Sequence, residues 1–170
     1  MKQSVTSART SVNSNKLPKV YTKIAVPPRS LLFDYGSGKY TDHIRAALPG
    51  VVYCPFDPFN QPERVNAASI YYVRCAMRAR FPVTVVCSNV FNVIDSDEQI
   101  EDMAKTIRQI VTATGGVGYV TVYAGDRSGV GRLTGPDQYQ RNQPLAAYLH
   151  LFPGAVIRNG MIIVKPEAIA

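Results

Sequence analysis

Short apolar runs alternate with stretches of helical periodicity along most of this chain, and that alternation restricts the fold more than any other feature. Ser30-Leu31-Leu32-Phe33-Asp34, Val51 to Phe56 and Val117 to Ala124 have the length of strands. Val83-Thr84-Val85-Val86-Cys87 is mostly β-branched, as in a strand buried on both faces at the centre of a sheet. Between these runs the apolar spacing is helical. Thr41 can cap a short helix that places Ile44, Ala47 and Leu48 on one side, and Pro49-Gly50 stops it. Glu63 to Arg80 sets Val65, Ala68, Tyr72, Cys75, Ala76 and Ala79 at helical spacing, with Arg74, Arg78 and Arg80 outside. Ser96, Asp97 and Glu98 make a cap and an acidic first turn for the best amphipathic stretch, Ile100, Met103, Ala104, Ile107, Ile110 and Val111, which Gly115-Gly116 ends. Gly125 to Asn142 reads as a long polar loop and Pro144 to Phe152 as a short helix with Leu145, Tyr148, Leu149 and Phe152 on one side. Ala155 to Arg158 and Met161 to Lys165 are then two strands joined by Asn159-Gly160, a strong hairpin signal.

This order predicts an α/β fold: a Rossmann-like, doubly wound, mostly parallel sheet with a C-terminal antiparallel hairpin, in a single compact domain. At 170 residues the chain is long enough for a self-sufficient core. Its longest apolar runs are a few residues, far short of the ~20 that cross a bilayer, and no apolar leader follows Lys2. The expectation is a cytoplasmic protein without membrane contact. Cys54, Cys75 and Cys87 have neither the count of a disulfide framework nor the spacing of a metal knuckle, and are read as reduced core thiols; no metal site is expected. The net charge of +7 is unevenly placed. Residues 1–30 hold six basic side chains and no acid, while the other 140 hold thirteen basic and twelve acidic. Residues 1–19 are therefore expected to form a basic, flexible tail and residues 20–170 the domain, with nucleic acid a partner the tail could hold.

The chemistry gathers at the carboxyl ends of the strands, where ligands bind in such sheets. Gly36 and Gly38 follow the first strand, where a missing Cβ lets backbone approach a ligand. Asp57 ends the second, where a carboxylate can accept both hydroxyls of a ribose. A phosphate loop of the GxxxxGK[ST] kind is excluded, because Phe33 and Tyr40 stand where Gly and Ser or Thr are required. A dinucleotide fingerprint would need a third Gly where Thr41 sits.

Asp34-Tyr35-Gly36-Ser37-Gly38-Lys39-Tyr40 resembles the D-x-G-x-G-x-G motif of class I S-adenosylmethionine-dependent methyltransferases, with Tyr40 for the last Gly. Taken with Phe56-Asp57-Pro58-Phe59, Asn89-Val90-Phe91-Asn92-Val93-Ile94, and Arg132-Leu133-Thr134 followed by Gln138, Gln143 and Leu145, the chain is similar over residues 31–150 to the DNA phosphorothioation-associated methyltransferase group of bacteria and phages. The resemblance implies S-adenosylmethionine as cofactor and methyl transfer as the activity. Gly36, Ser37 and Gly38 would line the cofactor, Asp34 would hold its methionine end and Asp57 its ribose. Pro58 and Phe59 would border the adenine, and Ser88 and Asn89 would face the sulfonium. Against the family pattern, Tyr40 would narrow the methionine end, and one of the usual seven strands is missing between the Glu63 to Arg80 helix and Val83.

Asp126 and Asp95 are the candidate bases for an acceptor that keeps its proton, and Arg127 and Arg132 the candidates to receive an anionic substrate. His43 and His150 are expected on the wet sides of their helices. The [D/N/S]-P-P-[Y/F/W] motif of amino-methyltransferases is replaced by Ser88-Asn89-Val90-Phe91, and no Pro-Cys nucleophile is present. The rival reading is a non-catalytic binding or assembly module that kept the fold.

Overall fold

The structure, a computed structural model, describes residues 16–39, 41–135 and 138–166. Lys2 and Arg9 of the expected tail, and Tyr40 of the glycine turn, lie outside the described residues.

Six strands form one sheet in the order β2 (Val52–Phe56), β1 (Leu31–Tyr35), β3 (Val83–Ser88), β4 (Val117–Thr121), β8 (Met161–Val164) and β7 (Val156–Arg158). The first four are parallel, and the β7–β8 hairpin adds antiparallel to β4 through Val120↔Ile162 and Gly118↔Val164. The fold is α/β with a mostly parallel sheet. From β1 the chain moves outward to β2, returns across β1 to β3, and continues to β4, so its direction of winding reverses between β1 and β3.

The sheet has two dissimilar faces. Phe33, Val85, Cys87 and Val120 meet α2 (Glu63–Ala79), α3 (Asp97–Thr114) and the 3₁₀ turns of Leu145–Leu151, burying Val73, Ile107, Val111, Tyr148 and Phe152. Leu32 and Val86 point the other way, to Ile44 of α1 (Asp42–Ala47) and to Val20 and Tyr21 of a 3₁₀ turn at Lys19–Thr22. Leu17 packs on that second face, so residues 16–19, assigned to the tail on composition, lie against the domain. Pro55 sits in β2 without disrupting a ladder because β2 is an edge strand with one neighbour.

The α3 boundaries match their sequence signals: Ser96 accepts a hydrogen bond from the Gln99 amide at 3.3 Å, and Gly115 closes the helix at φ +66°. All of Val83 to Cys87 is buried, as expected of a central strand. All three cysteines are free thiols, Cys54 and Cys87 buried and Cys75 half-buried.

Other expectations are corrected. The inward face of α2 is Ser69, Val73 and Ala76, and Ala68, Tyr72 and Ala79 are exposed. The small side chains of this helix left its rotation underdetermined. Thr41 makes no side-chain cap, and Ala47 faces out while Ile44 is buried. Strand β4 stops at Thr121, where its partner β3 ends at Ser88. The Tyr123 backbone finds side chains instead of a ladder: its amide donates to Asn92 Oδ1 at 3.3 Å and its carbonyl accepts from Gln140 Nε2 at 2.8 Å. The 125–142 loop contains an antiparallel hairpin, β5 (Arg132–Gly135) and β6 (Gln138–Gln140), with no buried side on which an apolar alternation could register. Residues 145–151 wind as 3₁₀ rather than α-helix. No helix among the described residues is long and apolar enough to cross a membrane.

Candidate ligand-binding site

A cavity of about 1160 Å³ opens above the carboxyl ends of β1, β2, β3 and β4. The loops after β1 and β2 are laced into one floor. The amides of Gly36 and Ser37 donate to the Phe56 carbonyl at 2.8 and 3.1 Å, and Gly38 N–H donates to Asp57 Oδ2 at 3.0 Å. Gln61 Nε2 donates in return to the Gly38 carbonyl at 2.6 Å. The glycine turn thus spends its amides internally. Gly36 serves shape: it has φ +91°, and a Cβ there would overlap Val90 Cγ2, so the loops after β1 and β3 approach through the missing side chain.

Asp57 is buried and heavily bonded. Its Oδ1 accepts from the amides of Phe59 (2.9 Å) and Asn60 (3.0 Å) and from Asn60 Nδ2 (3.0 Å), while Oδ2 accepts from Gly38 alone. A carboxylate has about four lone-pair sites, so Oδ2 keeps one for a ligand hydroxyl. Asn66 of α2 clamps the same residue from behind, accepting from the Asp57 amide at 2.9 Å and donating to its carbonyl at 3.0 Å. Asn66 and Gln61 escaped the sequence reading; an amide on a half-buried helix position, where Asn is a poor helix former, was the available signal.

Gly36, Ser37, Gly38, Asp57, Pro58, Phe59, Ser88 and Asn89 all border the cavity, so eight of the nine residues expected at a cofactor converge there. Asn89, at the end of β3, is exposed and left-handed at φ +58°. The ninth residue, Asp34, does not line the cavity. It points to the second face of the sheet, where Tyr53 Oη donates to Oδ2 at 2.5 Å and the Tyr21 phenol lies close by. Burial raises the Asp34 carboxyl to about 6, against the smaller lowering effect of these phenols. Burial also raises Tyr53, with the Asp34 charge adding to it.

Neither candidate base reaches the cavity. Asp95 is exposed beyond it. Asp126 accepts from the Ser128 amide, which holds its carboxyl below the usual range, and pairs with Arg132 at 3.2 Å. Arg127 and Arg132 are likewise exposed outside the lining. His43, expected on the wet side, is turned inward. It lines the cavity, and its Nε2 is buried without a hydrogen-bond partner among the described residues. His150 is exposed, as expected.

The hairpin β5–β6 forms the far wall through Thr134, Gln138, Tyr139 and Gln140. Asn92, from the Asn-Val-Phe-Asn run, holds it in place: Nδ2 donates to Gln140 Oε1 at 3.2 Å, and the Asn92 carbonyl accepts from the Arg141 amide at 2.9 Å. Buried Arg141 bonds the Ile94 carbonyl and pairs with Asp97 at 2.6 Å.

No protein-family model, curated protein or solved structure matches this chain.

Proposed function

We propose that the chain binds S-adenosylmethionine in this cavity, on a Rossmann-like doubly wound scaffold, and transfers its methyl group to an acceptor. The observation that carries the reading is the convergence of the glycine turn on the acid of the next strand, Gly38 N–H to Asp57 Oδ2, beside the point where the winding reverses. Six strands stand where the resembling family has seven, and α2 leads directly into β3.

The residues fit the cofactor. Asp57 Oδ2 offers its remaining lone pair to the ribose, and the half-exposed Phe59 ring with Pro58 borders the adenine. Gly36, Ser37 and Gly38 border the cavity, and Ser88 and Asn89 face the transfer side from the end of β3. When bound, S-adenosylmethionine supplies a methyl carbon already activated by its sulfonium. The chain's contribution is then chiefly to orient the two reactants. The cavity exceeds the ~300–1,000 Å³ of ordinary small-ligand sites, which leaves room for the reacting end of an acceptor.

Calorimetric titration with S-adenosylmethionine and with its demethylated product tests the reading: saturable heat with either supports it, and silence with both overturns it. A second reading, a non-catalytic binding or assembly module, is favoured by the position of Asp95 and Asp126 outside the cavity. Binding without methyl incorporation into any acceptor class would select it.

A further inference from the structure

Helix α2 carries a ridge of charge that the cavity does not use. With Ser69, Val73 and Ala76 packed inward, the residues turned away from the sheet on a helical wheel include Arg64, Tyr71 and Arg78, with Arg74 one turn to the side. Each step of seven residues is about 10 Å along the axis, so the ridge spans roughly 20 Å. All four residues are exposed, and none of the three arginines forms an ion pair among the described residues. Arg80 extends the charge beyond the helix end, and Glu63 is the helix's one acid. Tyr71 and Tyr72 stand 63% and 50% exposed, their rings edge to face at 5.9 Å. The neighbouring α3 has the opposite character: Asp97, Glu98, Glu101 and Asp102 are exposed in its first turns, followed by Lys105. The basic character of this face is therefore not shared by the helix packed beside it.

We propose that this outward face of α2 is a nucleic-acid-binding surface, in which the arginines follow backbone phosphates and the tyrosine pair stacks on unpaired bases. The charge complementarity selects a polyanion, and the exposed rings between arginines select nucleic acid over an acidic protein. An anionic lipid surface would need an apolar face to enter it, and the apolar face of α2 is turned to the core. The helix starts just past Asp57 to Asn60, which border the cavity, so the Arg64 end of the ridge is the end nearer to it. The inference goes beyond the cofactor reading and does not depend on it.

Fluorescence anisotropy of the full chain with a labelled 20-nucleotide single strand and a 20-base-pair duplex, between 50 and 200 mM salt, is the test. The triple variant Arg64→Gln, Arg74→Gln, Arg78→Gln changes only exposed side chains, and circular dichroism checks its fold. Expected is binding whose log–log salt slope flattens by about two to three units in the variant, at ~0.7–0.9 per lost phosphate contact, with affinity down at least about tenfold. Tyr71→Ala with Tyr72→Ala should weaken single-strand binding several-fold more than duplex binding. Absence of binding at 50 mM salt, or binding whose affinity and slope the arginine variant leaves unchanged, overturns the proposal. So does equal, arginine-dependent capture of polyglutamate or of phosphatidylserine vesicles. Cofactor titration of the triple variant should match that of the parent, which keeps a failure here separate from a failure of the cavity reading.

Discussion

Asp34 and Asp57 close two neighbouring strands, yet the chain holds them in opposite conditions. Asp57 is surrounded by four donors; Asp34 has a buried pocket and one short phenolic bond. Its carboxyl titrates near 6 when folded and near 3.9 when unfolded, so the folded state binds the proton more tightly. Stability from this group is full below about pH 4 and is lost as pH rises through about 6, a cost of roughly 3 kcal/mol. Asp34→Asn should therefore melt higher than the parent at pH 8 and equally at pH 4, and parallel melting curves at both pH values would refute this. Asp57→Ala strands buried amides of two loops and should cost at least about 2 kcal/mol, lowering Tm by roughly 4–8 °C. It should also weaken the proposed cofactor by more than tenfold. Because the fold is also touched, the cofactor titration belongs on Asp57→Asn as well, which keeps one oxygen and is expected to lose less of both.

Among the elements, those with a one-sided apolar pattern were legible in the sequence, and those without were not. Helix α3 shows a full stripe, a serine cap and a closing glycine, and all three are where they were expected. The β5–β6 hairpin has no buried face, and its stability comes from amides: Asn92 and Gln140 bridging to the Tyr123 backbone. Such cross-chain bonds leave no period to read. For the same reason eight of nine cofactor candidates could be placed by their positions at strand ends, whereas the direction of Asp34 could not, since it depends on which face of β1 receives Tyr53. The direction of His43 is not legible either, because its six-residue helix offers too few turns to define a wet side. Asn92→Ala should release the hairpin without melting the core. Limited proteolysis reads this directly: cleavage within residues 125–142 should accelerate several-fold while Tm falls by no more than a few degrees, and an unchanged cleavage rate would contradict it.

At the scale of the whole molecule, the second face of the sheet is completed from both ends of the described chain, by Val20 and Tyr21 and by Met161. Removing residues 1–24 takes away two buried side chains worth about 1.5–3 kcal/mol each. Relative to a chain starting at residue 16, Tm should drop by at least about 6 °C; an unchanged Tm would show that the segment adds nothing. The late placement of β8 has a consequence for how the protein is made. Strand β4 is complete at Thr121, but its outer neighbour is not complete until Val164, forty-three residues later. At 5–20 residues per second, translation leaves that edge without its partner for about 2–9 s. A nascent chain arrested before β8 should exchange the outward amides of β4 rapidly, and the released chain should protect them. The sheet is thus closed after synthesis of its parallel half, and the interval in which an unpaired edge can meet another chain is written into the strand order.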